Sequence, residues 1–353
     1  YLRAVYLFFD NIAISLSVIG FALVFFYFLY QWLRYGRDPA KGTIIPLFAA
    51  PPEMSAAAMR YVDRHNSYDN KTFTAAIVEL AVKGHVTIKE EGGVTTLQRR
   101  DGGKPLKNEE EAIKRHFFPK EKHRAIELKR ENHIRVGGAN TALKERLQRA
   151  YDGYFRDNYG KWWLGLLFTF IAAVFCLAGI VLQFPSRYAT DAFIGTLLPI
   201  LPLLLASFAL NNGFTSREGK GFLIGVGVLF GILPAALGLW YVWISVDGYL
   251  ELIPTICAFA STMLCAFYLE WMQAPTKEGR KALDHIEGLR VYLSTADESA
   301  RLEAFNPPEK TPELFERMLP YAIALDVETS WAAKFRNVLA AAALGPATAA
   351  ATA

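Results

Sequence analysis

His116, His123 and His133 fall in one polar stretch beside Glu109, Glu110 and Glu111, residue types that ligate divalent metals. No two of these histidines stand three or four residues apart, the spacing that puts ligands on one helical face, so the stretch reads as solvated surface. Residues 213–221 read GFTSREGKG, which superficially matches a phosphate-binding loop. Their spacing has one residue too many, no Ser or Thr follows Lys220, and apolar blocks flank them instead of a strand and a helix. A short basic loop is the plainer reading. There is no GxSxG elbow, no HExxH helix and no cysteine with a supporting histidine on a recognisable scaffold. Cys176, Cys257 and Cys265 all lie inside apolar blocks, where they behave as small buried hydrophobes and give neither a disulfide framework nor a thiolate metal site. No catalytic, cofactor-binding or metal-binding residue is assigned, and the expectation is a protein that is not an enzyme and takes no cofactor.

The elements that would have to position any chemistry are mostly membrane spans. Hydrophobic residues make up 52% of the 353 residues and aromatics 14%, high for a soluble globule. The excess sits in blocks of about 20 residues, enough to cross roughly 30 Å of hydrocarbon at about 1.5 Å per helical residue. Five spans are predicted over 12–33, 162–184, 193–210, 222–244 and 250–272. Tyr27, Tyr30 and Trp32 close the first, Trp162 and Trp163 open the second, and Tyr268 and Trp271 close the last, as expected of rings that prefer the headgroup level.

Lysine and arginine bias sets the orientation. Arg34, Arg37 and Lys41 follow the first span, Arg217 and Lys220 follow the third, and Lys277, Arg280 and Lys281 follow the fifth. Residues 1–11 are therefore expected outside as a short stub, with the segments 34–160 and 273–339 in the cytoplasm. A net charge of +4 is no larger than such a distribution requires and does not imply nucleic acid.

Within the first cytoplasmic segment Ser55 is placed to cap a helix, and a second helix is predicted over Thr72–Lys83, with Gly84 at its left-handed C-terminal cap. Alternating residues from Val86 then turn through Glu91, Gly92 and Gly93 into Val94–Arg99. Helix, helix, hairpin is the order of a winged-helix unit. Further helices are expected from Asn108, as a cap with Glu111 reaching back, and over Ala139–Phe155. In the second cytoplasmic segment a helix is expected over Lys277–Phe305. Thr311 is placed to cap the next, with Pro312 at its first position and Pro320 kinking or ending it. Residues 340–353 are an alanine-rich tail expected to be disordered. The fold class is thus a mainly α membrane protein: five transmembrane helices, a cytoplasmic α+β winged-helix-like domain and a C-terminal helical cytoplasmic segment.

A groove-reading helix needs several exposed Arg, Lys, Asn or Gln residues, and Thr72–Lys83 has mostly apolar or small residues with Lys83 at its end, so no nucleic acid is expected. Ionisable residues that would mark a transport path are missing from the span interiors; Glu251 and Glu270 sit at the ends of the fifth. The expected partners are the lipid bilayer and a protein, or a second copy, met through the cytoplasmic segments. The alternatives are a transporter or channel component for an uncharged or lipidic substrate and, further off, a membrane-tethered DNA-binding regulator.

Four stretches carry a family resemblance: Gly36, Arg37, Asp38 and Pro39; AAIVELAVKGHVTIKE over 75–90, with Gly84; HIEGLRVYLSTADESARLE over 285–303, with Gly288, Tyr292 and Leu293; and FERMLPYAIALDVETSWAAKF over 315–335, with Phe315, Leu319, Pro320, Tyr321, Trp331 and Phe335. With these the chain resembles the YciQ-like predicted membrane proteins, domain-of-unknown-function family 2207. The resemblance implies a bacterial inner-membrane protein whose relatives carry a signal peptide and a β-rich extracytoplasmic domain before the first span, a part expected to be missing here. It supplies no catalytic residues. The motif residues are accordingly candidates for interaction.

Overall fold

The computed structural model describes residues 10–120, 123–156, 159–183, 252–271, 274–295 and 308–344. In chain order its elements include α1 (Ile12–Gln31), continued by a π-helical turn (Trp32–Gly36), α2 (Ala56–Asp63), α3 (Asn70–Val82), β1 (Val86–Glu91), β2 (Val94–Arg99), α4 (Asn108–Phe117), β3 (Ala125–Glu127), α5 (His133–Tyr151), α6 (Tyr159–Gln183), α7 (Leu252–Trp271), α8 (Lys277–Ser294), α9 (Pro312–Ala324), α10 (Glu328–Lys334) and α11 (Arg336–Leu344). The chain divides into two compact units, Tyr1–Asp38 with Arg156–Ala274, and Pro39–Phe155 with Pro275–Ala353.

In the first unit α1 and α6 run antiparallel. The Ala13 amide donates to Gln183 Oε1 at one end (2.9 Å) and the Tyr27 hydroxyl donates to the Lys161 carbonyl at the other (2.8 Å). Small residues let the backbones approach: a Cβ on Gly20 would lie 3.0 Å from Ala172 Cα, and one on Gly179 would lie 2.7 Å from Ala13 Cα. Such approach replaces the hydrophobic drive that lipid cannot supply between apolar helices. Helix α7 joins the pair at the same end as Tyr27, where Trp162 Nε1 donates to the Cys265 carbonyl (3.0 Å) and the Phe28 and Tyr268 rings lie 4.4 Å apart. Ser17, Thr169, Ser261 and Thr262 donate their hydroxyls to carbonyls one turn back, so these polar groups are satisfied within an apolar bundle.

Two stretches among the described residues, Ile12–Gly36 and Gly160–Gln183, are long and apolar enough to cross a membrane; α7 holds only a shorter apolar run, Ile253–Cys265. The five-span expectation is not supported at that count. Its third and fourth spans, 193–210 and 222–244, lie outside the described residues, as does the 213–221 loop.

The second unit begins as the caps predict. Ser55 accepts from the Ala58 amide (3.1 Å), and Asp69 accepts from the Thr72 amide (3.0 Å), starting α3 two residues before the predicted Thr72. Gly84 ends that helix at φ +84°. β1 and β2 pair antiparallel, Val86 opposite Arg99 and Glu91 opposite Val94, around Gly92 and Gly93 at φ +58° and +76°. β3 adds to β2 with Ile126 opposite Leu97, a strand too short to show as alternation in the sequence. One core then gathers Leu80, Leu97, Ile113, Phe117, Leu143 and Leu147 with Ile286, Leu289, Leu293, Trp331 and Phe335, from both halves of the chain.

Several expected boundaries move. Helix α4 takes its first turn one residue earlier than an Asn108 cap would give, because Glu110 rather than Glu111 reaches back, to the Lys107 amide (2.7 Å). Helix α5 starts at His133 and stops at Tyr151, not at Phe155. Helix α8 ends at Ser294, and 296–307 lie outside the described residues. Pro320 does not end α9, which runs on to Ala324. The expected tail overlaps α11, which reaches Leu344; residues 345–353 lie outside the described residues.

The winged-helix assignment is also not supported. The helix that would face a groove, α3, is packed against α9 from the far end of the chain, and its Glu79 is 2% exposed. The local order of helices and hairpin is present, but α8, α9 and α10 complete the core that a winged-helix domain would close by itself.

Candidate functional site

The residues that distinguish the second unit lie where its two chain segments meet. Arg60 stands inside the largely apolar run AAAMRYV of α2, and its side chain is fully buried. Its Nε and one terminal nitrogen donate to Asp69 (2.7 and 2.5 Å), and the other donates to the Ala324 carbonyl and Asp326 (2.7 and 3.1 Å). Asp326, 266 residues away in sequence, is held at φ +58° just past the end of α9. Arg64 and Lys71 also reach it (2.5 and 2.6 Å), and Lys71 continues to Glu328 (2.8 Å). The planar guanidinium holds Asp69 through two nitrogens while its third serves the Ala324 carbonyl and Asp326, a rigid fork that a lysine ammonium lacks.

A second polar node lies on α3. Glu79 accepts from the Ala56 amide at the start of α2 (2.7 Å), from the Tyr321 hydroxyl of α9 (3.1 Å) and from Lys83 (3.0 Å). Lys83 also binds Glu110, and Glu109 accepts from the Ser55 hydroxyl (2.7 Å). A carboxylate at the first turn of α2 satisfies an amide that has no partner within the helix and favours the helix dipole.

These environments push carboxyl groups in opposite directions. Burial alone would raise Asp69, but Arg60 and Thr72 outweigh it and hold it at about 2. Asp326 is likewise held far below the ordinary carboxylate range, burial being overcome by Lys71, Arg60 and Arg64. Glu110 goes the other way, raised to about 7 by burial and by the neighbouring charge of Glu79. A carboxyl pair with one member titrating near neutrality resembles an acid–base site, yet Glu79 and Glu110 are only 2% and 1% exposed, so a substrate has no approach to them. The arrangement is suited to joining segments and to responding to protons.

The family-motif residues are mostly part of the same joint. Trp331 and Phe335 are fully buried, Tyr292 nearly so, and the Trp331 indole donates to the Phe315 carbonyl (3.2 Å). Phe315 itself packs half-buried on Phe335, with ring centroids 5.6 Å apart. Lys334 lies over the Tyr292 ring, 4.5 Å from its centroid, and donates to the Tyr292 carbonyl (3.1 Å). Gly288 is required by close approach: a Cβ there would lie 2.3 Å from the Ile45 carbonyl oxygen, and the Leu47 amide donates to the Gly288 carbonyl (3.2 Å). Leu293 and Pro320 are buried, Leu319 is half-buried, and Tyr321 binds Glu79. Gly84 caps α3 away from this cluster. Gly36 ends the π turn of the first unit, with Arg37 over Trp32 (5.6 Å), Asp38 exposed and Pro39 half-buried.

Sequence reasoning assigns no role to Arg60, Asp69, Glu79, Glu110 and Asp326. An arginine set among the apolar residues of Ala56–Val62 is the legible signal. The histidines of the polar stretch are dispersed: His116 and His133 each contact a nearby backbone carbonyl (2.9 Å each). Among the described residues no group of three or more His, Cys, Asp or Glu side chains is arranged to hold a metal.

A family model described as the C-terminal domain of a predicted membrane protein, DUF2207, matches residues 45–335. The chain belongs to this family. The matched range takes in most of both chain segments of the second unit and the apolar region between them, so the Arg60–Asp326 joint lies wholly inside the DUF2207 domain. No curated protein and no solved structure matched the chain.

Proposed function

We propose that this protein is a non-enzymatic membrane scaffold and signal relay, whose soluble DUF2207 core passes changes in its membrane helices to a cytoplasmic protein partner. The observation that carries the reading is that one soluble core is built from segments on either side of the apolar region, clamped by Arg60 and Asp326. The chain passes between the two units after Asp38, Phe155 and Ala274, so three covalent connections join that core to the ends of α1, α6 and α7. A shift of any one helix end is felt by a core whose buried ion pairs tolerate few alternative arrangements.

The same observation supports a topology. Two segments that share one core lie on one side of the bilayer, so the stretch between them crosses an even number of times. Four spans there, with 193–210 and 222–244 as the inner two, and one span at 12–33 satisfy that parity. The lysine and arginine bias makes the shared side cytoplasmic and the N-terminus external, in a bacterial inner membrane.

The test uses the full chain in lipid nanodiscs. Gly20→Val wedges α1 from Ala172, and hydrogen exchange is then read at the amides of Ala58, Thr72 and Val327 beside the soluble clamp. The relay predicts faster exchange there, in a core that remains folded. Unchanged protection, with the bundle demonstrably loosened, would sink it.

A further inference from the structure

The first unit holds a cluster of cations at the end of the bundle where α1 stops and α6 begins. The π-helical turn Trp32–Gly36 carries Arg34 and Tyr35 past the last α-helical turn of α1. Insertions of this kind recur where a helix must re-aim side chains for function. Here the Lys161 ammonium sits over the Tyr35 ring, 3.1 Å from its centroid, while the Arg34 guanidinium lies 5.6 Å from the same ring and donates to the Tyr30 hydroxyl (2.7 Å). Arg34 and Lys161 therefore share one ring. Arg34 is exposed and is not ion-paired to a carboxylate among the described residues.

Like charges gathered on one aromatic platform repel one another, and a shared ring offsets that repulsion only in part. The arrangement suits a bound anion. Its depth decides which anion: Tyr30, Trp32 and Trp163 surround the level of Arg34 and Lys161 with exposed amphipathic rings, and the apolar lengths of α1 and α6 begin directly beyond. We propose that Arg34 and Lys161, on the Tyr35 platform, form a binding site for the phosphate headgroup of an anionic phospholipid. The arginine fork suits phosphate oxygens, the lysine supplies a point charge, and the acyl chains lie along the exposed apolar faces of α1 and α6.

Native mass spectrometry of the full chain in mild detergent tests this, with phosphatidylglycerol, phosphatidylcholine and inorganic phosphate titrated separately. Phosphatidylglycerol should be retained, and the double variant Arg34→Gln/Lys161→Gln should weaken it by about tenfold or more, each interfacial cation counting for about 1 kcal/mol. Arg34→Lys keeps the charge and should keep most of the binding. Arg115→Gln removes the same charge from an exposed site in the soluble unit and should change nothing. Equal retention of phosphatidylcholine, undiminished binding by the double variant with its melting temperature unchanged, or preferential binding of inorganic phosphate would each overturn the proposal.

Discussion

The helix bundle and the soluble core solve the same problem, holding together chain segments far apart in sequence, by opposite means. In the bundle the contacts are close and nearly uncharged: Gly20 on Ala172, Gly179 on Ala13, and hydroxyls turned back onto their own helices. In the soluble core the joint is ionic, with a fully buried Arg60 shared by Asp69 and Asp326, and Glu79 shared by Lys83 and Tyr321. The environment accounts for the difference. Apolar surface gains nothing by leaving lipid for another helix, so shape complementarity decides which helices pair. In water any apolar face finds some partner, and buried charges penalise every pairing except the one that satisfies them.

The largest effects should come from the ionic joint. Arg60→Met leaves Asp69 without its partner, while Asp326 keeps Arg64 and Lys71, and is expected to cost about 3 kcal/mol, the low end of the range for breaking one side of a buried pair because both carboxylates reach solvent. Trp331→Ala, which opens a cavity beside Phe335 and Tyr292, should cost a similar 3–5 kcal/mol or so. Chemical denaturation followed by tryptophan fluorescence measures the first, and by far-UV circular dichroism the second. If Arg60→Met were as stable as the parent, packing rather than charge would hold the segments.

A smaller loss is expected in the bundle. Gly20→Val puts a branched side chain where a single Cβ already lies 3.0 Å from the Ala172 backbone, an overpacking expected to cost about 1–3 kcal/mol. Unfolding in mixed micelles reads it. No change there would mean that α1 and α6 are held by their termini alone.

The smallest change is a slope. Glu110 titrates at about 7 in the folded protein against an ordinary 4.5, so the folded state holds more protons between those values and this group lowers stability as pH rises through the window. Asp69, held at about 2 against 3.8, acts in the opposite sense, and its contribution is lost as pH falls below that ordinary value. Glu110→Gln keeps an acceptor for the Lys107 amide and should flatten the decline between pH 4.5 and 7. Melting temperatures of the two proteins across that window should converge at its acid end and separate at its neutral end. Parallel curves would mean that Lys83 and the Lys107 amide fully compensate the charge against burial and Glu79.

What could be read from the sequence was local. Ser55, Thr311 and Gly84 act as the caps their chemistry suggests, and Gly92–Gly93 turn the hairpin where expected, because each depends on a few neighbouring residues. The motif around Trp331 could be recognised, but its burial could not, since it depends on Tyr292 and Phe48 supplied from other segments. The same distance hid the site. Arg60 looks anomalous in its helix, yet nothing within its neighbourhood points to Asp326, and the order of α2 to β2 suggests a winged helix until α9 is seen to cover α3.

Lys71 lies 2.6 Å from Asp326 and 2.8 Å from Glu328, a pairing that exists only if the two soluble segments share a core on one side of the membrane. Zero-length carbodiimide coupling of the full chain in inverted membrane vesicles, read by peptide mass spectrometry, should join the Lys71 peptide to the one holding Asp326 and Glu328. Coupling confined to residues within each segment, with the 71-to-326 link missing from intact vesicles, would show that the segments do not meet.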